Sequence, residues 1–179
     1  MNQTTSLPVS QTGIRWLWVS ALVIALDQLT KLWVVSTMAL EETIPVLPVF
    51  SIHRTFNEGA AWSMFANAGG VQRWIFSALA AGVSVGLVVW LRRLALSSQA
   101  LLIAGLALIL GGAIGNLIDR LYLGHVIDFL LFFWNTARFP AFNIADAAIT
   151  VGAGLVILDA IREGQRERQA RKQPRQGVE

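Results

Sequence analysis

The residues best placed to do chemistry in this sequence are two carboxylates, Asp128 and Asp146, 18 positions apart and set among apolar neighbours. Asp128 stands in Gly124-His125-Val126-Ile127-Asp128-Phe129, and Asp146 in Phe142-Asn143-Ile144-Ala145-Asp146. Two carboxyl groups brought together in a partly dry site cannot both ionise readily, so they hold one proton between them. The ionised member can take a proton from water while its protonated partner polarises a scissile carbonyl. Such a pair needs no metal, thiol or imidazole. Taken singly, each acid has an ordinary reading. Asp128 is then a loop carboxylate, and Asp146 a helix-start acid three positions after a good N-cap, Asn143. The pair says more than either member does alone.

Other ionisable groups lie inside apolar runs, where a charge costs about 2.5–3.5 kcal/mol on insertion scales and so asks for a function. Asp27 and Lys31 are four apart, one helical turn from each other. They form either a mutually neutralising pair facing a bundle interior or part of an active site, with Asp27 organising other groups by hydrogen bonds. Asn116, Asp119 and Arg120, at i, i+3 and i+4, share a face if their helix continues that far. Their expected role is structural: Arg120 keeps its neighbour Asp119 ionised, and the Asn116 amide helps tie a helix end to a loop. The absence of Cys excludes disulfides, thiolate metal ligands and a cysteine nucleophile. With only His53 and His125 available, a histidine zinc site is not expected, nor is any other cofactor. Serine chemistry is not expected either, because the serines fall mostly at cytoplasmic or helix-interior positions.

The elements that must position these groups are legible from composition. Of 179 residues, 55% are hydrophobic and 14% charged, and the mean hydropathy is +0.57. A soluble domain is typically about 25% charged, and here the apolar residues fall in blocks long enough for a bilayer. Seven Trp suit the membrane–water interfaces. Four segments read as membrane helices, about 16–40, 74–91, 100–117 and 144–161. Each approaches the roughly 20 residues a crossing needs, and helices pair all their backbone groups in lipid. The first is too long for a cleaved signal peptide and carries Asp27 and Lys31, so it reads as retained.

The expected fold is an all-α membrane protein, one four-helix domain over 1–164 with a small β-containing extracytoplasmic loop region. The strands are expected in the first outer loop, where Val46 to Phe56 is rich in β-branched and aromatic residues. Trp62 and Phe65 after it suit a membrane surface. Residues 165–179, basic and poor in apolar side chains, read as a disordered tail or a fraying helix end. Lys and Arg number nine on the side of the termini and the 92–93 turn, against four on the other. That asymmetry places both termini in the cytoplasm and the loops 41–73 and 118–143 outside. Asp128 and Asp146 then share the outer boundary. The basic tail fits topology and anionic membrane phospholipid rather than nucleic acid, having no aromatic platform among its charges.

Five short blocks carry a resemblance: Asp27-Gln-Leu-Thr-Lys31, Asn57-Glu-Gly59-Ala-Ala, Gly115-Asn116-Leu-Ile-Asp119-Arg120, Val126-Ile-Asp128-Phe129, and Phe142-Asn143-Ile-Ala145-Asp146. Any one is weak. Five in order over about residues 16–161, on four matching helices, resemble the lipoprotein signal peptidase (signal peptidase II) family of membrane aspartyl peptidases. The resemblance implies a bacterial inner-membrane enzyme acting on diacylglyceryl-modified prolipoproteins and cutting just before the lipidated Cys. It assigns the catalytic dyad to Asp128 and Asp146. It assigns supporting or substrate-binding positions to Asp27, Lys31, Asn57, Gly59, Asn116, Asp119, Arg120 and Asn143. Trp62 departs from the pattern, which usually has Phe there. A monomer is expected, with the Val46–Phe65 loop as a clamp over the substrate and Asn57 in contact with it.

Two other classes compete. One is a transporter with Asp27, Lys31, Asp128 and Asp146 as a proton relay, against which stand the outer clustering of the acids and the lack of a visible inverted repeat. The other is an assembly factor whose charges only join helices, which leaves the paired outer acids idle.

Overall fold

A computed structural model describes residues 8–58, 70–97, 99–134 and 137–172. Among these, four helices are long and apolar enough to cross a bilayer: α1 Leu17–Thr37, α2 Val71–Arg93, α3 Ala100–Tyr122 and α4 Ile144–Lys172. Even α1, with 21 residues, covers about 32 Å, which matches the hydrocarbon core. At one end of the bundle two short 3-10 turns, Val9–Gln11 and Gly13–Trp16, close against the α2–α3 connection. The Gly13 N–H donates to the Leu94 carbonyl at 3.1 Å, and the Leu96 N–H to the Gln11 carbonyl at 2.9 Å. The other end carries a sheet.

Helix α3 is the axis of the bundle. In its most apolar stretch 56% of residues are buried, against 17–28% in the other three helices, which pack on it and turn their remaining faces outward. Those faces expose Leu22, Leu26 and Leu29 on α1, Ile75 and Leu79 on α2, and Val151, Ile157 and Ile161 on α4. Exposed Trp18 and Trp90 lie near one boundary of the span and Trp33 and Trp74 near the other, as interfacial anchors do.

Lipid gives apolar helices no drive to associate, so close packing and interhelical hydrogen bonds hold the bundle. Helices α3 and α4 meet backbone to backbone. A Cβ added at Gly105 would stand 2.7 Å from the Gly152 carbonyl oxygen, and one at Gly112 would run into the carbonyl of Ala145. On the α1 side, the Ser20 hydroxyl donates to the Ala107 carbonyl at 2.7 Å. Leu87, Leu91, Ile103, Leu106 and Leu110 fill the core between α2 and α3 at the end away from the sheet.

The sheet is antiparallel, in the order β1 Thr43–Leu47, β2 Phe50–Asn57, β3 Val126–Trp134 and the two-residue β4 Ala137–Arg138. The first two strands lie where the β-branched run predicts them. β3 and β4 lie in the second outer segment, to which the sequence assigned no strand. Val126 to Trp134 is apolar at every position but Asp128, so it lacks the alternation that marks a half-exposed strand. Three helices overrun their expected limits, whereas α1 ends at Thr37, short of the expected residue 40. α3 continues to Tyr122, and α4 continues through residues 165–172, which the sequence assigned to the tail. Arg, Glu, Gln and Ala in that stretch are good helix formers, and Arg166 pairs with Glu163 at 3.7 Å. Gly59, Trp62 and Phe65 lie outside the described residues.

The Gly112 contact yields a packing test. Gly112→Leu is expected to lower stability in detergent by about 1–3 kcal/mol or more. Gly86→Leu, where nothing stands within 4 Å of a new Cβ, should stay within about 0.5 kcal/mol of the parent.

Candidate active site

The sheet end of the bundle brings the sequence's polar residues together around one ammonium group. Lys31 and Asp27, on one face of α1, are 2% and 0% exposed, and Lys31 Nζ lies 2.7 Å from Asp27 Oδ2. The same nitrogen lies 2.8 Å from Asp119 Oδ2 on α3 and donates to Asn116 Oδ1 at 3.1 Å. Asp27 uses its second oxygen to accept the Ala145 N–H of α4 at 2.9 Å. Asp119 accepts the Ile127 N–H, at the start of β3, on the same Oδ2 that faces Lys31, at 3.2 Å. One cation thus joins α1, α3, α4 and β3.

The partner of Asp119 differs from the one expected. Asp119 pairs with Lys31 and not with Arg120, because α3 continues and turns Asp119 inward toward α1. Arg120 instead donates to the Asn116 carbonyl at 3.4 Å and lies 5.6 Å over the Phe76 ring. Gln28, next to Asp27 on α1, joins the same cluster. Its amide donates to Asp119 Oδ1 at 2.9 Å, to Asp27 Oδ2 at 3.2 Å and to the Gly115 carbonyl at 3.3 Å. A Gln inside an apolar span was the available signal.

Above this base stand the two acids. Asp128 is 2% exposed, on β3 opposite Thr55 of β2. Its Oδ2 accepts from the Asn57 amide at 2.9 Å, and its Oδ1 from the Asn143 amide at 2.8 Å. Asp146 sits in the first turn of α4. Its Oδ1 accepts from the Asn116 amide at 2.7 Å and its Oδ2 from the Asn143 N–H at 3.2 Å. The Asp146 N–H returns a bond to Asn143 Oδ1 at 2.9 Å. That reciprocal pattern is a capping box, which bears out the capping reading of Asn143 and Asp146. Each of the four carboxylate oxygens has one donor, and Asn143 serves both acids. Burial pushes the Asp128 carboxyl up from 3.8 to about 6; the charge of Asp146 pushes the same way, and the hydrogen bonds from Asn57 and Asn143 act against it.

Eight of the ten residues singled out in the sequence meet in this network or beside it: Asp27, Lys31, Asn57, Asn116, Asp119, Asp128, Asn143 and Asp146. Arg120 borders it through the Asn116 carbonyl, and Gly59 lies outside the described residues. Against the expectation of no Gly-x-Ser-x-Gly elbow, the sequence has that spacing once, at Gly82-Val83-Ser84-Val85-Gly86. It lies in mid-helix, with the Ser84 hydroxyl bonded to the Ala80 carbonyl at 2.7 Å. No strand-to-turn junction presents that serine.

The buried ammonium makes a sharp prediction. Removing one member of a buried ionic cluster leaves uncompensated charge and costs about 3–5 kcal/mol. Lys31→Met is expected to melt far below the parent in detergent, and the double variant Lys31→Met, Asp119→Asn to recover part of the loss. Parent-like melting of the single variant would contradict the network.

The comparisons with known proteins agree with this geometry. The family model described as signal peptidase II matches residues 19–162. The lipoprotein signal peptidase of Shewanella pealeana is 52% identical over 159 residues, covering 89% of this chain and 93% of that protein. The Shewanella halifaxensis protein of the same name is 53% identical over 153 residues, covering 86% and 89%. Two solved structures, each titled as a bacterial membrane enzyme, superpose at TM-scores of 0.73 and 0.70, with 26% and 28% identity. They cover 92% and 80% of this chain, and 94% and 90% of theirs. Four apolar helices, a buried and a half-buried carboxylate at one end, and matches over nearly the whole chain lead to one conclusion: this multi-pass membrane protein belongs to the signal peptidase II family of lipoprotein signal peptidases.

Proposed function

We propose that this protein is the aspartyl endopeptidase that removes the signal peptide from diacylglyceryl-modified prolipoproteins, cutting just before the lipidated Cys, with Asp128 and Asp146 as its dyad. The observation that carries the reading is Asn143. Its amide donates to the buried Asp128 and its backbone to the half-buried Asp146, which holds two carboxylates at one place. The excess of Lys and Arg beside the termini supports an orientation with both termini in the cytoplasm and the sheet end in the outer leaflet. A signal helix embedded in lipid would present its cleavage point at that boundary.

In the chemistry we propose, Asp128 holds the shared proton, since burial and the neighbouring charge favour its neutral form. Asp146 takes a proton from a water molecule, whose oxygen bonds to the scissile carbonyl carbon. Asp128 gives its proton to the carbonyl oxygen, which forms the tetrahedral intermediate. As that intermediate collapses, Asp146 passes its proton to the departing nitrogen and the C–N bond breaks. Asp128 then recovers its proton from the intermediate's hydroxyl. The products are a signal peptide with a free carboxylate and a lipidated Cys with a free amine. Asp27, Lys31, Asn116, Asp119 and Asn143 act by holding the two acids in register, and Arg120 borders them.

The direct experiment is a gel-shift assay of the purified protein with a diacylglyceryl-modified prolipoprotein. The wild-type enzyme should release the signal peptide, and Asp128→Asn and Asp146→Asn should each lose at least about a hundredfold in rate while still folding. A wild-type protein inert in both detergent and lipid would overturn the reading. The pH dependence follows from the sign of the shift. Asp128 carries its proton below about 6, so cleavage should decline as pH rises through that value. Asn57→Ala removes a bond that stabilises the ionised form, so the decline should move to higher pH and turnover should fall. An unchanged rate and profile in Asn57→Ala would remove Asn57 from the site.

A further inference from the structure

Beside the carboxylate pair lies an apolar groove that the chemistry above leaves without a role. It encloses about 470 Å³, and its walls include Phe139, Phe142, Asp146, Ala147, Thr150 and Val151. One wall is helical. Residues 146, 147, 150 and 151 form a stripe along α4 that runs about 7.5 Å from Asp146 into the span. The hydroxyl in this wall is turned back on the helix, since Thr150 Oγ donates to the Asp146 carbonyl at 2.8 Å. The other wall is rigid. The Phe142 ring lies between Phe132, stacked at 6.0 Å, and Phe139, edge-on at 6.1 Å. Its backbone exchanges two hydrogen bonds with Leu130, at 2.8 and 3.1 Å. The groove opens on the lipid-facing side, where Phe139 and Val151 are 63% and 57% exposed.

A groove that starts at Asp146, follows a membrane helix and opens to lipid has the form of a track for a linear apolar chain. A peptide side chain is short and needs no opening to lipid; a chain that remains partly in the bilayer needs one. We propose that the groove takes one acyl chain of the substrate's diacylglyceryl group, an inference that rests on the function proposed above. Entry from lipid brings no hydrophobic gain, because the chain is in apolar surroundings before and after. The groove contributes register instead. A chain laid along α4 fixes how far the modified Cys stands from Asp146, so that the bond before it meets the acids. Misplacement of that bond by about 1 Å can lower the rate by orders of magnitude.

The test uses full-length protein and a prolipoprotein whose acyl chain carries a diazirine. In Asp128→Asn, irradiation is expected to label residues 139–151, and adding Val151→Trp to abolish that labelling. In the active enzyme, Val151→Trp should lower kcat/KM on the order of tenfold for a long-chain substrate and leave the same peptide bearing butyryl chains unchanged. Labelling confined to other helices overturns the groove assignment, as does an equal loss for long and short chains. If wild-type protein releases signal peptide from neither substrate, the function fails and the groove with it; wild-type cleavage with labelling elsewhere marks failure of the groove alone.

Discussion

An ammonium group enclosed by two carboxylates, away from water, is the interaction on which the rest of this structure depends. Lys31 binds Asp27 within α1 and Asp119 across to α3, and each acid also accepts a backbone N–H of another element, Asp27 through its second oxygen and Asp119 through the oxygen that faces Lys31. A buried cluster of this kind is weak evidence for stability in itself, since desolvation offsets much of the attraction. Its value here is geometric. The N–H of Ala145 can reach Asp27 only if α4 enters the bundle at one height, and the N–H of Ile127 can reach Asp119 only if β3 leaves α3 at one angle. Those two constraints set where Asp146 and Asp128 stand.

The same economy appears at the start of α4. Asn143 and Asp146 close a capping box, which any helix start could use, yet the remaining donors of Asn143 and Asn116 point at the acids. The orientation of each amide is fixed by what its oxygen accepts: Asn116 Oδ1 from Lys31 and Asn143, and Asn143 Oδ1 from the Asp146 N–H. Their nitrogens are left to face carboxylates. Close approach of the helices makes this possible, because α3 presents Gly105 and Gly112 where α4 presents Gly152 and Ala145. The helix interface and the site are two consequences of one packing.

Much of this was legible in the residues. Four apolar blocks gave four helices, and the positions of Asp27, Lys31, Asn116, Asp119, Asp128, Asn143 and Asp146 gave the polar cluster, because charge and amide groups in lipid stand out against their neighbours. The partners were less legible. Adjacency suggested an Asp119–Arg120 pair, whereas the α1–α3 crossing brings Lys31 to Asp119, and sequence carries no record of that crossing. β3 was hidden because Val126 to Phe129 are buried on both faces and Phe132, though exposed, is itself apolar, so no period-2 pattern is left. The bonds from the backbone of Ala145 and Ile127 leave no trace in residue type at all.

If Asp128 and Asp146 hold one proton between them, the carboxyl stretching band in infrared difference spectra reports it most directly. A protonated carboxyl is expected that loses its proton as pH rises through about 6. That band should be absent from Asp128→Asn and titrate at lower pH in Asp146→Asn, where the charge that favours the neutral form is gone. A band that survives Asp128→Asn, or one indifferent to Asp146→Asn, would contradict a shared proton.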